Sequence, residues 1–159
     1  MNEIKRIELY LTYRCNRSCV YCFAKDRRNS QSYQIDIDFK TISNTLYSGK
    51  KNGFNYLTLV DGEPTIHKDF IKTLLLAKKL VYYIHIFTNG LAFSDEKFTK
   101  IVSEIQVDSL ALNIPDYREK EYEFLTGFKN SYKTMIKAVN NIIEAKIPLS
   151  SIFIVNDLN

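Results

Sequence analysis

The chain has no fourth cysteine. Its 159 residues hold three, Cys15, Cys19 and Cys22, and all lie in one short stretch. An odd count excludes a fully paired disulfide framework, and a chain of this length with 45% hydrophobic residues can bury a core without staples. Long hydrophobic runs are also missing. None reaches the length needed to cross a bilayer, and Met1-Asn2-Glu3-Ile4-Lys5-Arg6 lacks the apolar centre of a signal peptide. A cytoplasmic, reducing location is therefore expected, with no membrane partner. Neither sign of charge dominates. The 22 basic residues against 18 acidic give +4, too mild to imply nucleic acid, and Lys25 to Arg28 and Lys50-Lys51 read as solvated faces. With 25% charged residues and no low-complexity linker, the sequence reads as one ordered domain over residues 1–159.

The stretch Cys15-Asn16-Arg17-Ser18-Cys19-Val20-Tyr21-Cys22 directly follows an apolar segment, Ile7 to Thr12, that reads as the first strand. Spacers of three and two residues let a loop curl around a compact inorganic core. Three thiolates leave one iron of a cubane without a protein ligand, whereas a structural zinc site is closed by a fourth ligand and a protein-only [4Fe-4S] site by a fourth cysteine. Two alternatives stand beside the cluster: a zinc knuckle completed by His67 or His85, and free thiols in a reducing compartment.

Further along, strands and helices alternate. Asp38 is placed to cap a helix with Phe39, Ile42 and Leu46 on one face, ended by the Gly49 to Gly53 cluster. Tyr56 to Val60 is an apolar run suited to a strand buried on both faces, and Asp61-Gly62-Glu63-Pro64 forces a turn at its end. Asp69 opens a helix with Phe70, Leu74, Leu75 and Leu80 inward, and a third strand, Tyr83 to Phe87, runs into Thr88-Asn89-Gly90. Ser94 reads as the cap of a helix burying Phe98, Ile101, Val102 and Ile105; Ser109 to Ile114 follows as the fourth strand. Residues 116–130 read as a charged loop and short helix, and Ser131 as the cap of a long helix with Met135, Ala138, Val139, Ile142 and Ile143 inward. A fifth strand, Ser151 to Val155, comes after Pro148. Five such alternations imply an α/β fold with a parallel sheet and right-handed crossovers.

The CxxxCxxC spacing with Tyr21 before the last cysteine resembles the signature of the radical S-adenosylmethionine (SAM) superfamily. Asp61-Gly62-Glu63-Pro64 resembles that family's Gly-Gly-Glu-Pro motif, with Asp61 in place of the first glycine. Thr88-Asn89-Gly90 stands where the family often has the same tripeptide. The resemblance runs from about Ile7 to Asn156 and is closest to the branch that modifies peptides and cofactors. It implies a partial (β/α)6 TIM-like barrel, of which five βα units are present and the sixth is missing, so a core domain truncated at its C-terminus. It also implies two cofactors, a [4Fe-4S] cluster on Cys15, Cys19 and Cys22, and SAM on the open iron. Reductive cleavage would yield a 5'-deoxyadenosyl radical that takes hydrogen from a substrate, a peptide being one candidate, with flavodoxin or ferredoxin as reductant. Tyr21 would lie against the adenine, the Asp61 to Pro64 turn would hold the amino group, and Asn113 would lie near the ribose. Val155 or Asn156 would border the adenine, and Arg118 would stand in for an arginine that peptide-modifying members carry near the Leu125-Thr126-Gly127 turn. The readings that compete are a zinc-stabilised scaffold without catalysis and an inactive truncated domain.

Overall fold

A computed structural model describes residues 4–29 and 36–155. Five parallel strands stand in sequence order: β1 Arg6–Leu9, β2 Tyr56–Leu59, β3 Tyr83–Thr88, β4 Ser109–Asn113 and β5 Leu149–Ile152. The helices between them are α1 Lys25–Asn29, α2 Phe39–Lys51, α3 Phe70–Lys79, α4 Glu96–Ile105, α5 Glu119–Thr126 and α6 Ser131–Glu144. A sheet that adds each new strand on the same side, with a helix returning each time, is the geometry of an opened TIM-like barrel rather than of a doubly wound sheet.

The register sorts the strand residues into two faces. Ile7, Leu57 and Ile84 stand opposite one another, as do Leu9, Leu59 and Ile86. These side chains pack beneath Ile42 and Leu46 of α2, Leu74 and Ala77 of α3, Val102 of α4 and Ile142 of α6 in the main core. The alternate residues Glu8, Thr58, His85 and Ser109 stand in one row across the other, concave face. Period-two alternation thus sends apolar groups to the helices and leaves the concave face for chemistry.

Several element ends differ from expectation. Strand β1 stops pairing at Leu9 instead of Thr12, because its neighbour β2 leaves the sheet at Leu59 for the Asp61 turn. Strand β5 begins at Leu149, not Ser151. Its last contact is the Ile114 amide donating to Ile152 O at 3.0 Å. Phe153 to Val155 consequently lie beyond the sheet, with Val155 81% exposed. The cap of α4 is Asp95, whose carboxylate accepts from the amides of Lys97 and Phe98, while the Ser94 hydroxyl donates to Leu91 O. Ser131 is the first residue of α6, buried with its hydroxyl 3.1 Å from that of Thr126, and Asn130 precedes it without a side-chain cap. Asp69 does precede α3, again without a side-chain cap. The polar stretch Asn29 to Ile37, whose composition reads as a turn, falls partly on residues outside those described.

Leu75, Ile101 and Ile143, expected on inward faces, are 53, 45 and 60% exposed. A helix lying on a sheet buries a narrower stripe than an apolar count suggests. We expect Ile86→Val, in a fully buried site, to cost about 1 kcal/mol. Ile101→Ser should stay within about 0.5 kcal/mol of the parent in the same urea titration. Equal losses would mean that the helix faces are misassigned.

Candidate active site

The carboxyl ends of the strands surround a cavity of about 440 Å³. Its wall includes Cys15, Cys19, Tyr21 and Cys22 from the loop after β1, Asp61 and Gly62 after β2, Asn89 after β3, and Asn113 at the end of β4. All three cysteines are half-buried and none is in a disulfide. Residues far apart in sequence therefore meet because parallel strands all present the same end.

The Asp61 turn is fixed by its own chemistry and by the cysteine loop. Asp61 is left-handed at φ +66°, and its Oδ1 accepts from the next amide, Gly62 N, at 2.8 Å. That local bond is the reason aspartate can occupy a position the family gives to glycine. Asp61 Oδ2 lies 3.7 Å from Arg27 Nη1. Gly62 is also left-handed, and a Cβ there would come under 3.0 Å from Thr12 O, Arg14 O and Tyr13 C. The turn thus presses directly on the backbone leading into Cys15, and the Glu63 amide donates to Arg14 O at 2.8 Å.

Glu63 does not face the cavity. Its carboxylate is wholly buried and caps the short 3₁₀ turn Pro64–Ile66, accepting from Thr65 N at 3.2 Å and Thr65 Oγ1 at 2.6 Å. It also accepts from Thr88 Oγ1 and from the Asn89 amide, each at 2.7 Å. The side chain therefore ties the end of β2 to the end of β3. Pro64 opens the 3₁₀ turn and is buried, and neither it nor Glu63 lines the cavity.

Tyr21 projects into the cavity wall with its hydroxyl shielded from water. Burial chiefly, and next the negative charge of Cys19, push its phenol well above the ordinary tyrosine range, while Asn113 pulls the other way. It stays neutral at physiological pH. Asn113 Oδ1 is buried with no hydrogen-bond donor among the described residues. Such an orphaned acceptor at a cavity wall suits a ligand hydroxyl.

Arg118 lies elsewhere. It clasps Asp116, donating from Nε at 3.0 Å and Nη2 at 2.7 Å, and holds that carboxyl down at about 2. The guanidinium that does line the cavity belongs to Arg17, 3% exposed, its Cζ 5.3 Å from the ring centre of Tyr122 on α5. The Leu125-Thr126-Gly127 turn docks beside it: Ser18 N donates to Thr126 O at 3.3 Å and Val20 N to Leu125 O at 2.9 Å. Sequence inspection missed Arg17 because its neighbours along the chain give no sign that a distant helix will bury it. Asn89 was named in the Thr88-Asn89-Gly90 tripeptide but given no role; its amide Nδ2 lies 2.7 Å from Asn16 Oδ1 and 3.7 Å from Cys15 Sγ.

Neither histidine serves the cysteines. His67 is buried with Nε2 at Ile37 O, 3.0 Å, and Nδ1 accepting from Asp69 N at 3.1 Å. His85 sits mid-strand with Nδ1 on Ser109 Oγ. Among the described residues no three His, Cys, Asp or Glu side chains converge as one metal ion would require. A tetrahedral zinc would draw its sulfurs to within about 4 Å of one another, given Zn–S near 2.3 Å. Val155 does not line the cavity, whereas Ile152 and Ile154 do; Asn156 falls outside the described residues. Among those residues no helix is long and apolar enough to cross a membrane.

An open parallel barrel with three thiols and a strained turn around one strand-end cavity defines a cofactor-dependent α/β class of protein. The sequence model of the Radical SAM superfamily matches residues 9–159, and the chain belongs to that family, whose members are enzymes built around a [4Fe-4S] cluster and SAM. Among curated proteins it is 26% identical over 151 residues to the sporulation killing factor maturation protein SkfB of Bacillus subtilis, covering 95% of this chain and 36% of that protein. It is 23% identical over 146 residues to a probable GTP 3',8-cyclase of Pyrococcus horikoshii, covering 92% of this chain and 45% of that one. Among solved structures, native anSMEcpe with bound AdoMet and Cp18Cys peptide superposes with a TM-score of 0.76 at 19% identity, over 95% of this chain and 43% of that one. The chain thus spans less than half the length of these relatives.

Proposed function

We propose that residues 1–159 form the core domain of a radical SAM enzyme whose cluster is held by Cys15, Cys19 and Cys22, and whose substrate is a peptide. The observation that carries this is the convergence of those three thiols, the Asp61-Gly62 backbone and the orphaned Asn113 acceptor on one cavity. When bound, the cluster and SAM supply reductive cleavage to a 5'-deoxyadenosyl radical that takes a hydrogen atom from substrate. This chain's residues do the holding. The backbone carbonyls of Asp61 and Gly62, the two residues of the turn that line the cavity, would accept from the amino group of SAM, Asn113 Oδ1 from a ribose hydroxyl, and Tyr21 would pack against the adenine. Phe87, Ile152 and Ile154 line the cavity and limit water around the reacting atoms. Flavodoxin or ferredoxin would be the electron source.

Two features support a peptide over a nucleotide. A peptide accompanies AdoMet in the anSMEcpe structure. In addition, the described cavity wall carries two carboxylates, Glu8 and Asp61, against one guanidinium, Arg17, a poor setting for a triphosphate. Anaerobic reconstitution with iron and sulfide, followed by SAM and dithionite, tests the reading. We expect about four irons per chain and formation of 5'-deoxyadenosine. Stoichiometric zinc with no visible absorption would favour the scaffold instead, and a cluster without SAM cleavage would indicate an inactive domain.

A further inference from the structure

We infer that Asn89 is a positioning residue for Cys15, whose side-chain amide raises the reduction potential of the iron centre that the cysteine holds; this rests on the proposed cluster. The orientation of the amide is decided by its neighbours. Leu91 N can only donate, and it reaches Asn89 Oδ1 at 3.0 Å. Nδ2 must then be the end that faces Asn16 Oδ1 at 2.7 Å and Cys15 Sγ at 3.7 Å. One amide therefore spends its two N–H bonds on two acceptors, one of them sulfur.

The residue is also held from behind. Its backbone amide donates to Glu63 Oε2 at 2.7 Å, and the residue is 8% exposed. The following Gly90, at φ +82°, turns the chain so that Leu91 N points back at the side chain. Glu63 thus fixes the Asp61 turn and the Cys15 donor with one carboxylate. A donor aimed at a cluster thiolate stabilises the more negative, reduced state, which makes the centre easier to reduce.

The test is an EPR-monitored redox titration of the reconstituted chain without SAM. Asn89→Ser is the main variant: its hydroxyl can still accept from Leu91 N, as the Thr88 hydroxyl already does from Gly90 N at 3.0 Å, but is too short for Cys15. Asn89→Leu removes both functions. Each should shift the midpoint negative, to about a tenfold lower reduced-to-oxidised ratio at fixed potential, or about 59 mV for one electron. Asn16→Ala, which removes the other acceptor of the amide, should leave the midpoint near the parent's. A loaded Asn89 variant with the parent's potential overturns the inference. So does an equal shift in Asn16→Ala, or failure of both Asn89 variants to hold iron while Asn16→Ala does. Absence of a cluster in the parent would instead remove the proposed function itself.

Discussion

Gly62→Ala is expected to cost about 3 kcal/mol in stability and to abolish measurable SAM binding. About 1 kcal/mol comes from placing a Cβ on a left-handed residue, and the rest from overlap with main-chain atoms that cannot rotate away. Those atoms are Thr12 O, Arg14 O and Tyr13 C, each under 3.0 Å from the new carbon. Relief requires the turn and the cysteine loop to separate, which breaks the bond from the Glu63 amide to Arg14 O and widens the cavity. Gly53→Ala is the matched control, since it has φ +80° but nothing within 4 Å of its Cβ. It should lose only the conformational share, about 1 kcal/mol. Urea unfolding of the two variants, with calorimetric SAM binding to the reconstituted chain, makes the comparison. Equal midpoints for the pair would show that the close approach carries no weight.

Glu63→Ala should be comparably damaging, by about 3 kcal/mol, without any change in what lines the cavity. The carboxylate, itself wholly buried, takes four hydrogen bonds, two from part-buried Thr65 and one each from Thr88 and Asn89, the latter two buried. Removing it leaves several buried donors unsatisfied, each at about 1–3 kcal/mol, offset in part by no longer burying a charge. Glu63→Gln should lose less, about 1–2 kcal/mol. Its carbonyl can replace Oε1, but its NH₂ then faces the Asn89 amide donor to donor. Hydrogen exchange localises the effect: protection of the Asn89 amide should collapse in both variants, while Ile84 and Ile86 amides fall only as far as global stability does. An alanine variant as stable as the parent would mean that the strand ends are not held together by this group.

Much of the site could be named from the chain. The three cysteines, Asp61, Gly62 and Asn113, which all line the cavity, were nameable from thiol spacing and, for the last three, from the resemblance to a family's motifs. Thiol spacing, a glycine before a glutamate and proline, and a polar residue ending an apolar run are each local patterns. The different tasks within the turn were not legible. Gly62 is needed because a second loop passes over it, and Glu63 because Thr88 and Asn89 arrive beside it; both facts depend on segments at least 25 positions away, in the latter case. Arg118 was the visible arginine, but a carboxylate two residues earlier claims it. Arg17 took the buried place through packing on Tyr122.

Local covalent order decided which groups this protein possesses and the alternation of strands with helices. Thiol spacing, backbone freedom and hydrophobic period act over a few residues, so they survive in a one-dimensional string. Assembly in three dimensions decided which groups meet. Burial, hydrogen bonding to Glu63 and the pairing of Asn89 with Cys15 depend on how parallel strands line up their ends, and that alignment is set by the packing of the whole core beneath them.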